Sequence, residues 1–275
     1  MPDLDVPSAA EDRALLIEAV RAAGPLALKD FRLGREAASE RWTKSHDDSV
    51  VTAADHAVND ALREILRDAR PDYGWLSEED ADDLDRLARE RLFIVDPIDG
   101  TRSFAEGKPE WCLSVAIAEA GPSGARVTAA VVFAPALDRL FAAEAGRGAT
   151  LNGAPVRVSA RDELQGARLL GTRNVRRPEH WRGEPPLVEM TYVQPIAYRL
   201  CLVAEGGYDG LIALRATNEW DIAAGALIVE EAGGLASETS GAAYRFNKPT
   251  PRVQGSVAGH RELQDAICRA LAPRD

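Results

Sequence analysis

The chain has 275 residues, of which 45% are hydrophobic and 28% are charged, as in an ordinary globular protein of one large or two intermediate domains. No apolar run is long enough for a transmembrane helix, and the acidic N-terminus lacks the basic start of a secretory signal. The net charge of −11 argues against a non-specific binder of nucleic acid polymers or anionic lipids. It leaves room for an acidic substrate that is held through divalent cations.

The three cysteines, Cys112, Cys201 and Cys268, are odd in number and far apart in the chain. This pattern is typical of reduced thiols rather than of a disulfide framework. We therefore expect a cytoplasmic protein without integral membrane association.

The first half of the chain has the pattern of two helices followed by antiparallel strands. The apolar spacing predicts a helix from about residue 10 to 35 and a second from Thr52 to about residue 70, with Thr52 as its N-cap. Buried strands are predicted at Leu92–Val95, Leu113–Ala118, Val127–Phe133 and Leu140–Ala143.

After about residue 146 the pattern changes to alternating strands and helices, which is typical of an α/β unit. Strands are predicted at Ala167–Gly171, Val188–Tyr192 and Gly210–Leu214, and helices at Ile196–Glu205, Asp221–Ala232 and His260–Ala270. The basic segment 173–186 is predicted to be a loop or a short irregular helix. We thus predict an α+β domain over residues 1–145 that carries the metal site and an α/β substrate domain over 146–275.

The strongest local signal for chemistry is the segment from Asp96 to Thr101, which reads Asp-Pro-Ile-Asp-Gly-Thr. It places two carboxylates, with the Ile98 carbonyl between them, at the exit of a buried strand. Magnesium prefers such clusters of oxygen ligands, and Gly100 permits close approach of the backbone to a phosphate. Taken alone, the segment also fits an acidic turn without any ligand.

Three further motifs accompany this segment: Val51–Asp55, Ser77–Asp80 and Glu219–Gly225. Together, in this order, the four motifs resemble the inositol monophosphatase superfamily over about residues 51–234. The resemblance implies an α/β fold with alternating helical and sheet layers (α-β-α-β-α). It also implies a magnesium-dependent, lithium-sensitive phosphomonoesterase.

The resemblance implies two or three magnesium ions at one site. Glu78, Asp96 and the Ile98 carbonyl would bind the first ion. Asp96 would bridge to a second ion that Asp99 and Asp221 also hold, and a third, weaker ion would lie near Glu78. Asp221 could instead be only the N-cap of its helix.

The resemblance also assigns the attacking water and the phosphate. Glu78 and Thr101 would position the water, and Asp55 would accept a hydrogen bond from the Thr101 hydroxyl. The amides of Gly100 and Thr101 would hold the phosphate, while Asp99 and Asp221 would face the substrate. Asp55 could instead only complement its helix dipole, and Glu79 could either support the site or lie at the surface.

The substrate class is suggested by details around these motifs. The segments Leu76–Asp80 and Thr217–Asp221 look like bacterial 3′(2′),5′-bisphosphate nucleotidases, and Leu214 stands where inositol monophosphatases carry a glutamate. Arg102 and Arg199 could bind a second phosphate, since guanidinium groups pair well with phosphate, or they could form surface ion pairs.

One departure affects the wall of the substrate pocket. Pro195-Ile196 replaces the Gly-Ser of the nucleotidases, which removes an amide donor and a hydroxyl. We expect hydrolysis of adenosine 3′,5′-bisphosphate to AMP, which clears a by-product of sulfate assimilation, by a monomer or homodimer. The alternatives are an inositol- or sugar-phosphate phosphatase, and a non-catalytic protein that binds metal or nucleotide.

Overall fold

The computed structural model describes residues 7–43 and 50–272. In these ranges the α-helices are α1 (Ala9–Asp30), α2 (Ala53–Ala69), α3 (Thr101–Ala105), α4 (Ile196–Ala204), α5 (Glu219–Glu231) and α6 (Arg261–Ala270). Short 3₁₀ helices lie at Leu84–Ala88, Pro135–Leu137, Arg173–Arg176 and Pro178–His180. The last two occupy the basic segment 173–186, as predicted.

The strands of the first half are β1 (Arg41–Thr43), β2 (Val50–Thr52), β3 (Gly74–Ser77), β4 (Arg91–Asp99), β5 (Cys112–Glu119), β6 (Arg126–Ala134) and β7 (Arg139–Glu144). Those that follow are β8 (Gly148–Leu151), β9 (Ala154–Pro155), β10 (Arg168–Gly171), β11 (Glu189–Thr191), β12 (Gly210–Ala213), β13 (Thr217–Asn218), β14 (Leu235–Ser237), β15 (Arg252–Val253) and β16 (Ser256–Gly259).

Most of these strands lie in two large sheets, while β1-β2 and β13-β15 form separate two-stranded sheets. The larger sheet has the order β3-β4-β5-β6-β7-β8-β9, in which only β3 and β4 are parallel. The smaller one has the order β11-β10-β12-β16-β14, with β10 parallel to both β11 and β12. Parallel strands end at the same edge, so the segments after β10, β11 and β12 share one edge of the smaller sheet.

Successive side chains of a strand point to opposite faces of the sheet, so each face packs against a different helical layer. On β4, Phe93 and Val95 pack with α1 and α2 in one apolar cluster, whereas Leu92 and Ile94 pack with α4 and α5 in another. The latter cluster continues onto the smaller sheet, and a third cluster joins the opposite face of that sheet to α6. The order of layers is therefore α1/α2, larger sheet, α4/α5, smaller sheet, α6, which confirms the predicted α-β-α-β-α arrangement.

The predicted elements are present, and their ends differ by a few residues. Helix α1 ends at Asp30 rather than near residue 35, and β4 runs on to Asp99 because the segment after Val95 still pairs with β5. Strands β8 and β9, which follow residue 146, complete the larger sheet. The division into domains at residue 145 stays a prediction.

Among the residues that the structure describes, no helix has both the length and the apolar character needed to cross a membrane.

Candidate active site

The segment Asp96–Thr101, called the acidic motif below, lies where β4 ends beside its neighbour β5. The pairing between the two strands is irregular between Asp96 and Asp99. Gly100 then takes a left-handed backbone conformation with φ of 92° and is the N-cap of the short helix α3. This conformation favours glycine, and it turns the chain directly after the second carboxylate.

Three carboxylates from separate parts of the chain meet here. Glu78 follows β3, Asp96 lies on β4 and Asp221 lies on α5, and one oxygen from each lies within 4.8 Å of the other two. Oδ1 of Asp96 is buried and has no hydrogen-bond partner among the described residues. A buried carboxylate oxygen without a donor is costly unless a cation occupies the space beside it.

The electrostatics of this cluster point in the same direction. Burial raises the pKa of the Asp96 carboxyl well above its ordinary value, and the charges of Glu78, Asp99, Asp221 and Asp55 raise this pKa further. Burial also raises the pKa of Asp221. Buried carboxylates this close together repel one another, and a bound divalent cation relieves this repulsion.

Asp99 is held by the pocket wall. The backbone N–H of Ala197, in the first turn of α4, donates a hydrogen bond of 2.6 Å to Oδ2 of Asp99. Burial and the charge of Asp221 raise the pKa of Asp99, whereas this hydrogen bond and the charge of Arg199 act to lower it. The second carboxylate of the motif is thereby fixed against the segment that follows Pro195.

Asp55 connects a helix cap to the predicted catalytic hydroxyl. Thr52 is the N-cap of α2, as predicted, and its backbone N and Oγ1 donate to Oδ2 of Asp55 over 2.8 and 2.6 Å. Oγ1 of Thr101 lies 3.1 Å from Oδ1 of Asp55 and 3.0 Å from the Ile98 carbonyl oxygen. Burial raises the pKa of Asp55 to about 6, and the charge of Glu79 raises it as well.

Asp221 has a comparable arrangement at the start of α5. The N-cap is Asn218 rather than Asp221, and the Asn218 backbone N donates to Oδ2 of Asp221 over 2.9 Å. The Thr217 hydroxyl donates to the same oxygen. Capping and a place in the carboxylate cluster are therefore compatible roles of one side chain. The patterns Thr52-x-x-Asp55 and Asn218-x-x-Asp221 could have revealed this from the sequence.

The pocket wall packs directly on the acidic motif. Pro195 is the N-cap of α4, and a Cβ at Gly100 would come within 3.1 Å of the Pro195 Cβ. The Ser103 hydroxyl donates to Oε1 of Gln194 over 3.0 Å. Ile196 is 8% exposed and belongs to the core. The unusual Pro-Ile pair thus shapes the wall by packing instead of offering polar groups.

The charge of Arg199 acts to lower the pKa of both Asp99 and Asp221. Arg199 is only 8% exposed, and its pKa is lowered by burial while the charges of Asp99, Tyr192 and Asp221 raise it. One guanidinium nitrogen donates to the Gln194 carbonyl oxygen over 3.3 Å. Nε is buried and has no hydrogen-bond partner within the described part of the chain. The surface ion pair considered from the sequence is not what Arg199 forms.

Arg102 differs from Arg199 in its exposure. It is exposed and lines a cleft of about 540 Å³ with Arg41, Trp42, Thr43, Ala105 and Glu106. Within residues 7–43 and 50–272 it makes no ion pair closer than 4.0 Å. Arg199 is thus buried on α4 whereas Arg102 is exposed on α3, and a contact of Arg102 with a second phosphate stays a prediction.

Sequence reasoning missed a second buried network behind the site. Glu219 is fully buried and accepts hydrogen bonds from the backbone N of Asn247 and Lys248 over 2.7 and 3.2 Å. Arg86 is also buried, pairs with Asp82 and donates to Oδ1 of Asn247. The network ties the acidic loop after Glu78 to the start of α5. No local motif predicted this network, because Arg86 and Asn247 are far apart in sequence.

Leu214 packs in the hydrophobic core. It is 8% exposed and lies in the apolar cluster between the smaller sheet and α6. It therefore offers no polar atom to a substrate.

The described residues fit divalent cations by their own geometry. Glu78, Asp96 and Asp221 supply converging carboxylate oxygens, and the unpaired Oδ1 of Asp96 marks a place for a cation. Hard cations such as magnesium bind through this donor set.

Comparison with known families and proteins agrees with this arrangement. The model of the inositol monophosphatase family matches residues 9–274. Inositol-1-monophosphatase of Rhizobium meliloti (strain 1021) is 34% identical over 265 residues, which cover 92% of this chain and 93% of that protein. Nus factor SuhB of Pseudomonas aeruginosa is 34% identical over 272 residues, which cover 94% of this chain and 96% of that protein.

Solved structures show the same fold. Extragenic suppressor protein suhB from Bartonella henselae aligns with a TM-score of 0.77 and 28% identity over 93% of this chain and 96% of that one. The Thermotoga maritima IMPase aligns with a TM-score of 0.76 and 27% identity over 93% and 94% of the two chains. These four similar proteins are named as inositol monophosphatases or SuhB proteins and not as bisphosphate nucleotidases.

Proposed function

The chain belongs to the inositol monophosphatase family and is a phosphatase, and on this premise we propose that it hydrolyses nucleoside bisphosphates with the help of magnesium ions. The observation that carries the metal-dependent chemistry is the cluster of Glu78, Asp96 and Asp221, in which the buried Oδ1 of Asp96 has no donor among the described residues. The finer assignment of the substrate rests on Arg199.

We assign the cations to the residues that the sequence predicted. Glu78, Asp96 and the Ile98 carbonyl would hold one ion, and Asp96, Asp99 and Asp221 another. Magnesium ions bound here would supply positive charge for the incoming water and for the leaving oxygen.

The residues around the cations would orient the attacking water and bind the phosphate. The Thr101 hydroxyl lies between Oδ1 of Asp55 and the Ile98 carbonyl oxygen, so its direction is fixed. In this position it orients the attacking water together with Glu78. Asp55 is a positioning residue, because its contact is with Thr101. The amides of Gly100 and Thr101 are proposed to donate to the phosphate oxygens.

Arg199 supports an anionic leaving group. A cation that is buried with a free Nε beside Asp99 and Asp221 gains a partner when a second phosphate enters. Pro195 has no N–H and Ile196 has no polar side-chain atom, whereas Arg199 in the same helix is a cation whose buried Nε has no partner among the described residues. Leu214, buried in the core, offers nothing to the hydroxyls of inositol. We therefore favour adenosine 3′,5′-bisphosphate, with AMP and phosphate as products.

Inositol 1-phosphate is the second candidate, because the named relative from Rhizobium meliloti is an inositol-1-monophosphatase. The two are separated by measuring kcat/KM for both esters with magnesium, in the natural chain and in Arg199→Met. Methionine keeps an unbranched apolar stem, although a shorter one, while it removes the charge.

We expect the nucleotide to be preferred, and the Arg199→Met variant to lose about 10-fold or more of this preference. Efficient turnover of inositol 1-phosphate together with an inert nucleotide would contradict the substrate assignment and leave the metal assignment standing.

A further inference from the structure

The chemistry of the proposed reaction divides the pocket into two sides. In an in-line displacement, the attacking and leaving oxygens lie on opposite sides of the phosphorus. Thr101 and Asp55 define the side of the water, since their hydrogen bond lies at the junction of α2 and α3. On this division the leaving group would lie on the side of Asp99 and Asp221, whose charges act on Arg199.

One aromatic residue stands at the outer end of this wall. Tyr192 directly follows β11, at the edge of the smaller sheet where β10, β11 and β12 end together. The guanidinium carbon of Arg199 lies 5.8 Å from the centre of the Tyr192 ring. Tyr192 is 58% exposed although its neighbour Arg199 is buried, so a wide part of the ring faces solvent.

Asp99, Arg199 and Tyr192, in this order, thus form a path from the acidic motif to the surface. A phosphate ester that extends along it would meet first a cation and then an exposed aromatic ring. Large exposed aromatic rings at the carboxyl ends of parallel strands are favourable places for ligands, because they supply apolar area with little loss of side-chain freedom.

We propose that Tyr192 is a specificity residue of this enzyme, whose ring stacks on the base of a nucleotide leaving group while Arg199 meets its second phosphate. This inference rests on the proposed function, since it names the part of the pocket that would select a nucleoside over a sugar or inositol. Trp42, the other exposed aromatic among the described residues, is stacked on His56, with ring centres 5.6 Å apart, and lies in the cleft beside Arg102.

The test compares Tyr192→Ala and Tyr192→Phe with the natural chain, each loaded with magnesium. The substrates are adenosine 3′,5′-bisphosphate and glycerol 2-phosphate, and the inhibitor is AMP. Stacking of a base on an aromatic side chain changes affinity by about 10-fold or more. Tyr192→Ala should raise KM for the nucleotide and the inhibition constant for AMP by about this factor. The values for glycerol 2-phosphate should change less than about 2-fold, and Tyr192→Phe should resemble the natural chain throughout.

AMP keeps the 5′-phosphate that Arg199 would meet, so ribose 5-phosphate, which has this phosphate but no base, is tested as a second inhibitor. Tyr192→Ala should weaken inhibition by AMP and leave inhibition by ribose 5-phosphate within about 2-fold of the natural chain. An equal loss with glycerol 2-phosphate would show that Tyr192 only supports the wall and would overturn the proposal. Unchanged inhibition by AMP, or no inhibition of the natural chain, would also overturn it. If AMP inhibits through Tyr192 but the bisphosphate is not hydrolysed, the nucleotidase assignment fails while the stacking role stands.

Discussion

The backbone N–H of Ala197 donates a hydrogen bond of 2.6 Å to Oδ2 of Asp99, and this bond joins the acidic motif of the larger sheet to the helix that lines the pocket. The two residues are 98 positions apart in the chain. Because the bond uses a backbone donor, it depends on where α4 begins, and Pro195 is the N-cap of α4. The geometry of the carboxylate is therefore coupled to the unusual wall sequence.

Gly100→Ala tests how closely the wall and the motif approach. Gly100 has φ of 92°, and an added Cβ would come within 3.1 Å of Pro195. We expect loss of most of the activity and a decrease in the free energy of unfolding that exceeds the ~1–2 kcal/mol of left-handed backbone strain alone. Chemical denaturation and phosphate release measure the two effects.

The matched control for this variant is Gly153→Ala. Gly153 also has a positive φ, of 83°, but an added Cβ would meet nothing within 4 Å. Gly153→Ala should show only the backbone strain and retain its activity. Equal effects of the two substitutions would argue against a close approach of Pro195 to the motif.

Thr101→Val and Thr101→Ser test the assignment of the hydroxyl. Valine keeps the shape of threonine but cannot donate to Asp55 or to the Ile98 carbonyl oxygen, so the water would lose its orienting group. We expect kcat to fall about 10²-fold in Thr101→Val and much less in Thr101→Ser. Steady-state kinetics with magnesium measure both. Similar rates in the valine variant and the natural chain would remove Thr101 from the catalytic residues.

The fold and the position of the metal motif could be predicted from the sequence because their signals are local. The continuous apolar run Leu92–Val95 indicates a strand buried on both faces, and the segment from Asp96 to Thr101 contains two carboxylates and a turn in six consecutive residues. Thr52 was correctly expected as an N-cap for the same reason. The full length of β4 was not predicted, because proline and glycine suggested a turn directly after Val95.

Contacts that join distant segments could not be predicted. The hydrogen bond from Ala197 to Asp99 and the tie between Arg86 and Asn247 depend on how α4, α5 and the two sheets pack. Leu214 illustrates the same limit, because the sequence alone could not show that its side chain lies in the core next to α6.

Glu219→Gln tests the buried network by its pH dependence. Burial raises the pKa of Glu219 from 4.5 to about 7, so the folded protein binds this proton more tightly than the unfolded chain does. A raised pKa favours folding at low pH, and this contribution is lost as the pH rises from about 4.5 through 7. The shift corresponds to roughly 3 kcal/mol.

Glutamine does not titrate, so Glu219→Gln should remove this part of the pH dependence. We expect the free energy of unfolding of the variant, relative to the natural chain, to increase between pH 5 and pH 8. Urea denaturation in the presence of a chelator keeps the metal state constant across the series. Parallel stability curves for the two proteins would show that Glu219 stays ionised in the folded protein.

The most direct test of the central claim is phosphate release by the natural chain and by Asp99→Asn, with magnesium and with a chelator. Asparagine can still accept the hydrogen bond from Ala197, so the variant should stay folded while one anionic ligand is lost. We predict magnesium-dependent release by the natural chain from adenosine 3′,5′-bisphosphate or inositol 1-phosphate, and at least about 10³-fold less by the variant. Release that persists in the chelator, or a fully active Asp99→Asn, would contradict a metal-dependent phosphatase built on this carboxylate cluster.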